Sequence, residues 1–200
     1  LPFLPGNKTT VGYRSPLTGV PHYSFVGGRG FAELLNLGLD AIVFSSGEIA
    51  SPDTRWARSP TDAPPDEASR YYVVISGRAP HLTVTWKPAD ALPSGQRSAF
   101  YWLLAHELDG GADGEPTSGS VFTTGEAARR GYRSANLAVD GIYHAGRGGA
   151  GYVFAHFASA LVLHGEPMTL DDWLGPRADA FRELRTHELR DRLARYCDRL

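Results

Sequence analysis

Cysteine is almost absent: Cys197 is the only one in 200 residues. A single cysteine excludes a disulfide framework, and it excludes a zinc or iron–sulfur site ligated by cysteines of this chain alone. Set in a charged, helical-looking tail, it reads as a small packing residue. Lysine is nearly as scarce. Lys8 and Lys87 stand alone, so arginine carries almost all the positive charge, and its fork of donors suits bidentate phosphate binding. No charge sign is in large excess either, since the net charge is −2, which argues against the strongly basic face of a nucleic-acid binder. Long apolar runs are missing. None approaches the roughly 18–20 residues that span a bilayer, and no basic start followed by an apolar stretch marks a secretory signal. These absences set a cytoplasmic location as the expectation, and the start at Leu1 rather than methionine suggests processing or trimming.

What is present describes a globular chain. The hydrophobic share of 42% and charged share of 21% are ordinary, and a chain of this length buries roughly 70% of its unfolded surface without staples. Ser15-Pro16-Leu17-Thr18-Gly19 has the chemistry of a tight turn. Phe31 to Leu37 suits a short helix stopped at Gly38, and Ala41-Ile42-Val43-Phe44 reads as a buried strand. The proline-rich stretch from Ser51 to Ser69 reads as a loop or insertion. Tyr71–Ile75 and His81–Trp86 are expected to be strands joined by a Gly77–Pro80 turn. Ser98 to Leu108 has helical spacing, Gly110 to Gly119 is a polar connection, and Ser120–Thr124 is a strand candidate. From Leu170 onward apolar residues recur at helical spacing among arginines and acids, predicting an amphipathic helical tail.

Two segments repeat one another. GGRGFAELLNLGLDAIVFSSG runs from Gly27 to Gly47, and AGRGGAGYVFAHFASALVLHG runs from Ala145 to Gly165. Laid in register without a gap, Arg29 faces Arg147, Gly28 faces Gly146, Gly30 faces Gly148 and Gly47 faces Gly165. Each block passes from a glycine–arginine loop through a short helix to an apolar strand, the second being Leu161-Val162-Leu163. Glycines let a backbone approach a ligand closely, a helix N-terminus favours an anion, and an adjacent arginine supplies donors for phosphate. Two such units would hold two phosphate-bearing groups face to face. The plainer explanation is that the glycines permit close helix–strand packing and the arginines are solvated.

These residues resemble the N-terminal domain of the aldehyde ferredoxin oxidoreductases, truncated at its start. Ser15-Pro16-Leu17-Thr18-Gly19, Gly38-Leu39-Asp40-Ala41-Ile42-Val43 and Ala145-Gly146-Arg147-Gly148-Gly149-Ala150-Gly151 carry the likeness in that order, from about Lys8 to Gly165. The resemblance implies an α+β fold. Its two β-sheets would be related by an internal pseudo-twofold repeat, with short helices beside them and a C-terminal amphipathic helix. Residues 1–166 would form the family-like domain and 167–200 the helical tail. It further implies a tungsten- or molybdenum-bis-pyranopterin cofactor, with magnesium bridging the pterin phosphates and no iron–sulfur cluster in this chain. The residues implied to hold it are Lys8, Phe25, Val26, Gly27, Gly28, Arg29 and Gly30 on one side, and His144, Ala145, Gly146, Arg147, Gly148 and Gly149 on the other. Phe25 stands where the family has an asparagine, and Tyr143 where it has a second arginine that contacts the pterin.

The function so implied is a cofactor-binding subunit or fragment of an aldehyde-oxidising oxidoreductase. It would need a partner subunit or a homo-oligomer for catalysis, with no nucleic-acid or membrane partner. The alternative is a cofactor-free relative serving as a structural or regulatory module; a more distant one is a site for another diphosphate ligand, such as a nucleotide. The seven histidines show no ligand spacing apart from His156 and His164, His106-Glu107 lacks the second histidine of a metalloprotease helix, and no metal ligands are assigned.

Overall fold

The computed structural model describes residues 8–45, 65–108, 119–146 and 148–167, and all of these but Pro167 belong to a compact unit that ends at Glu166. Its first sheet is a two-stranded antiparallel hairpin of β1 (Thr9–Arg14) and β2 (Pro21–Val26). The turn between them is built on Ser15, whose hydroxyl accepts the N–H groups of Leu17 and Thr18. Helix α1 (Gly30–Leu37) follows, then α2 (Pro65–Ala68), β3 (Tyr71–Arg78), β4 (His81–Pro88) and α3 (Gln96–Glu107). The chain continues through β5 (Ser120–Thr123), α4 (Glu126–Arg129), β6 (Leu137–Val139), β7 (Tyr143–Ala145), α5 (Ala150–Ala155) and β8 (Ala160–Gly165).

The second sheet has six strands in the order β4-β3-β8-β5-β6-β7, with β3 and β8 parallel and every other pair antiparallel. The fold is therefore α+β with two sheets. β8, the last of the described strands in sequence, is inserted at the centre. Its residues Ala160 to Leu163 are all buried, as a strand covered on both faces requires. β1, β2 and β4 alternate between inward and outward residues, so each is covered on one face only. One face of the six-stranded sheet packs under α3 through Tyr72, Val121, Val162, Leu103 and Leu104. On the opposite face Val73, Ile75, Phe122, Leu161 and Leu163 meet Leu37 of α1, Val26 of the hairpin and Ala150 of α5.

Local chemistry explains the ends of these elements. Helix α1 stops because Gly38 takes a left-handed conformation at φ 69°. Its N–H donates to the carbonyl of Leu35 and that of Leu39 to the carbonyl of Leu34, a pairing that satisfies the last carbonyls. Glu33, on the same helix, is fully buried. Its carboxylate accepts the N–H of Gly165 at 3.0 Å and the amide of Asn36 at 3.3 Å, with the Arg29 guanidinium 3.7 Å away. One carboxylate thus ties α1 to the end of the central strand.

The expected strand at Ala41–Phe44 is not formed. The residues from Ala41 to Ser45 belong to no strand. β3 already has β4 on one edge and β8 on the other, so the run has no partner there. Ile42 and Phe44 are half-buried against the core, with the Phe44 ring 5.2 Å from Phe154 and 5.7 Å from Phe157 between centroids, while Val43 is exposed. The first repeated block is therefore without a strand from Ala41 to Ser45, where the second forms β8. Within the stretch expected to be a loop from Ser51 to Ser69, α2 forms a short helix and residues 51–64 lie outside the described residues. The helical tail, Cys197 and the 110–118 connection also lie outside them.

Candidate functional site

β2 and β7 cross in opposite senses. Gly27, just past the end of β2, lies against the ring of Tyr143 at the start of β7, whereas Gly148, past the end of β7, lies against the ring of His22 near the start of β2. The two glycine loops are thus at opposite ends of the crossing, separated by about five extended residues, or roughly 16 Å. A ligand held by both loops at once would have to span that distance.

The first loop borders a cleft of about 580 Å³. Its floor is Gly27, Gly28 and Arg29, one wall is Asp140, Gly141, Ile142 and Tyr143, and the other is Phe100, Tyr101, Leu104 and Leu108 of α3 and its end. Lys8 stands at the rim, exposed. The walls are largely aromatic and aliphatic. Ile142 is 73% exposed and Tyr101 52% exposed, far more than side chains of their kind need to be in a closed core.

Asp140 organises this cleft. Its carboxylate accepts the N–H of Arg29 at 2.6 Å, the N–H of Val121 at 2.8 Å and the hydroxyl of Ser120 at 2.9 Å. Its own N–H donates to Val121 at 2.8 Å, and the residue is held at φ 50°, a left-handed conformation uncommon for a side chain with a Cβ. The N–H at the start of α1, which an anionic ligand could have taken, is thus occupied by an internal carboxylate. A Cβ added at Gly28, which sits at φ 97°, would come within 2.5 Å of the Asp140 oxygen. Glycine at 28 is required by packing as well as by conformation.

Of the residues singled out in the sequence, Lys8, Gly27, Gly28 and Arg29 line the cleft. Val26 and Ala145 are buried in the core. Phe25 and His144 are exposed and do not line it. Gly30 is packed on Phe122 and Thr9. Gly146 lies near Asn136, and Gly148 gives its carbonyl to the Ser15 hydroxyl at 2.9 Å. Gly149 packs against the carbonyl of Arg133 and the ring of Pro16. Arg147 lies outside the described residues. The second loop is therefore brought to the hairpin turn rather than to the cleft. Asp140, Tyr101, Leu104 and Ile142 went unremarked as site residues. The Asp140-Gly141 pair after an apolar run is a turn signal that could have drawn attention to that wall.

A second polar cluster lies on the α3 face. Glu107 accepts the Tyr72 hydroxyl at 2.6 Å and the Lys87 ammonium at 2.7 Å. Burial foremost, then the hydrogen bond to Glu107 and its charge, hold the Tyr72 hydroxyl well above the ordinary tyrosine range. With each member committed to another, the cluster joins β3, β4 and α3 rather than offering a reactive group. Among the described residues no three histidine, cysteine, aspartate or glutamate side chains are placed to hold a metal ion, and no helix is long and apolar enough to cross a membrane.

No protein-family model matches the chain, and no curated protein matches it. Among solved structures it is similar to the active-site complex BamBC of benzoyl coenzyme A reductase in complex with 1,5-dienoyl-CoA. The TM-score is 0.58 at 24% sequence identity, covering 80% of this chain and 20% of that one. The chain thus spans about a fifth of the length of the protein it matches, and at that identity the likeness concerns the fold alone. This overturns the resemblance to the aldehyde ferredoxin oxidoreductases and the aldehyde-oxidising, tungsten- or molybdenum-dependent function drawn from it, because the neighbour is a component of a different enzyme. Nor does the cofactor-free structural or regulatory module gain support from it. Packing gives the physical reason for the glycine pattern: the glycines at 28 and 149 are demanded by Asp140 and by the Arg133 carbonyl, without any need for a family signature. What the comparisons establish is an α+β fold like that of one part of a benzoyl coenzyme A reductase active-site complex.

Proposed function

We propose that this chain is a ligand-binding part of a larger reductase-type assembly, and that its cleft takes a ligand with a flat heteroaromatic ring and a phosphate-bearing tail. The observation that carries the reading is the cleft itself. Aromatic and aliphatic walls from α3 and the β6–β7 turn face a loop bearing Arg29, with Lys8 at the rim. The volume falls in the range of small-molecule sites, and the mixture of apolar wall and few polar groups is typical of them. Charge shapes the reading. Arg29 is partly balanced by Glu33, and Asp140 is occupied by three donors, so the rim lysine is the group best placed to meet a phosphate.

The assembly is proposed because the structural neighbour is an active-site complex and this chain spans a fifth of the chain it matches. A partner subunit or a second copy would complete the site, and the cytoplasm is the proposed location. Two ligands share the required chemistry. A coenzyme A thioester, as the neighbour's complex contains, has an adenine ring and phosphates; a metal-bis-pyranopterin, with or without bridging magnesium, has a pterin ring and phosphates. For the latter, Lys8, Gly27, Gly28 and Arg29 would hold one ring-and-phosphate half.

Calorimetric titration tests the proposal and separates the sources. Coenzyme A, isolated molybdopterin, adenosine and inorganic pyrophosphate are titrated in turn into the whole chain and into Lys8→Ala. Binding of one ring-and-phosphate ligand is expected, weaker by about fivefold in the variant, as loss of a charge-assisted contact at an exposed rim implies, and weaker again at high salt. Adenosine and pyrophosphate alone should bind far less. If no ring-and-phosphate compound binds, or if Lys8→Ala binds as well as the parent, the reading fails.

A further inference from the structure

A groove of about 620 Å³ runs along β1. All seven residues from Lys8 to Arg14 line it, inward and outward ones alike, and none of β2 does. It therefore follows the edge of the strand that faces away from β2, and Gly12, with no side chain, lines it with backbone. The rest of the wall is largely apolar, with Ile42 and Phe44 from the unpaired run, Phe154 from α5 and Leu161 from β8. Only Lys8 is shared with the cleft.

The hydrogen bonding of the hairpin tells which groups meet this groove. Ser15 donates its N–H to the Val20 carbonyl. Bonded and non-bonded pairs alternate along an antiparallel ladder. With the register fixed, Tyr13–His22, Val11–Ser24 and Thr9–Val26 are the bonded pairs. Pro21, which has no N–H to give, falls in the other set, opposite Arg14. The N–H and C=O groups of Thr10, Gly12 and Arg14 thus point away from β2. Among the described residues no strand pairs with β1 on that side. Between Thr9 and Tyr13 the edge also lacks the charge, proline or bulge by which natural sheets blunt an open edge. An open edge beside an apolar groove suits the addition of a strand: main-chain bonds hold it, and the groove takes its alternate side chains.

We infer that the open edge of β1 is the docking site for an extended segment of a partner subunit, which adds a third strand to the hairpin and turns alternate apolar side chains into the groove. Charge complementarity narrows the partner's chemistry. Lys8 and Arg14 stand exposed at the two ends of β1, so acidic residues are favoured on either side of the apolar stretch. The neighbouring stretches of this chain are poorly suited by sequence: residues 1–7 include Pro2 and Pro5, and residues 46–64 include Pro52, Pro60 and Pro64, each without the N–H a ladder needs. The inference rests on the proposed assembly for the origin of the strand and on nothing that the cleft binds.

The probes are seven-residue peptides with valine, leucine or phenylalanine at alternate positions, threonine between them and a glutamate at each end. Added to the whole chain, at least one should slow hydrogen exchange at the Thr10 and Gly12 amides by about tenfold or more, and by far more than at Val11, which is already paired. Thr10→Pro removes one N–H from the open edge, where proline is tolerated, and should weaken peptide binding about fivefold, the effect of one hydrogen bond. Thr10→Ala keeps that N–H and should bind as the parent does. If Thr10→Pro does not fold, the amide rates of the parent decide the matter. Thr10 and Gly12 amides already slow in the unbound monomer would mean that the chain covers its own edge. Amides that slow only as the chain self-associates would make a second copy the occupant. Either result overturns the inference, as does the failure of every peptide or parent-like binding by Thr10→Pro. No cleft ligand enters these measurements, so their failure leaves the ring-and-phosphate reading standing.

Discussion

Asp140 shows how one side chain can set both a local conformation and a binding surface. It accepts three hydrogen bonds while its backbone stays at φ 50°, so two opposing terms meet at one position. A left-handed conformation costs a residue with a Cβ about 1–2 kcal/mol, whereas leaving part-buried donors without their acceptor costs about 1–3 kcal/mol each. The hydrogen bonds win, and the strain is tolerated. Asp140→Ala loses the carboxylate and keeps the strain; Asp140→Gly loses the carboxylate and relieves it. Both are expected to be less stable than the parent, with the alanine variant lower than the glycine variant by about 1 kcal/mol. Urea unfolding reads this as two shifted midpoints with an unchanged slope. Equal midpoints would mean that φ at this position is not held in the unliganded chain.

At the scale of elements, α3 is fastened to the sheet by Glu107, which receives Tyr72 from β3 and Lys87 from β4. Burial raises the proton affinity of the Tyr72 hydroxyl, and the Glu107 carboxylate raises it further. At a pH above the ordinary tyrosine value, the unfolded chain has lost a proton that the folded chain keeps. The folded state then binds more protons, and stability falls as pH rises. The urea midpoint should accordingly drop as pH climbs past about 10. Tyr72→Phe should flatten that drop while costing about 1 kcal/mol at neutral pH; an unaltered alkaline slope would assign the loss to other groups. Elements of this kind were legible from sequence where their pattern was long enough. The helix at 30–37 announced itself by its glycine stop, β3, β4 and β5 by apolar or alternating runs, and α3 by its spacing. β6 and β7 have three residues each, too few for any periodicity to show. The run at Ala41–Phe44 had a strand's composition, but strands are settled by partners, and this run pairs with none of the described strands. The cleft was half legible for a related reason. Glycine loops are local features, so Gly27, Gly28 and Arg29 could be found by eye. The walls come from α3 and from the β6–β7 turn, and only the folded sheet brings those together.

On the whole-molecule scale, the decisive feature is that the last strand of the described chain is the centre of the sheet. β8 is bonded to β3 on one side and β5 on the other, and α1 is tied to its end through Glu33 and Gly165. The large sheet cannot be completed until the chain has passed through every other strand, so β8 should open only when everything opens. The hairpin of β1 and β2 differs. It forms a separate two-stranded sheet, and its outer face leaves Tyr23 and Phe25 65% and 69% exposed. A lone hairpin is marginal in water, so what keeps it in place is its inner face, which contributes Val11, Tyr13 and Val26 to the core. Native-state hydrogen exchange separates these two kinds of stability. The amides of Leu161 to Leu163 are expected to exchange only by global unfolding, with a denaturant dependence equal to that of the whole chain. Those of Val11 and Ser24, paired across the hairpin, should exchange through a smaller opening with a weaker dependence. A ligand in the cleft would rest on the loop that follows β2. Its binding should therefore raise protection at Arg29 and along the hairpin before it raises protection in β8. Hairpin amides as slow as those of β8 would show that the two sheets open together, and the cleft would then gain no adjustable wall from the hairpin.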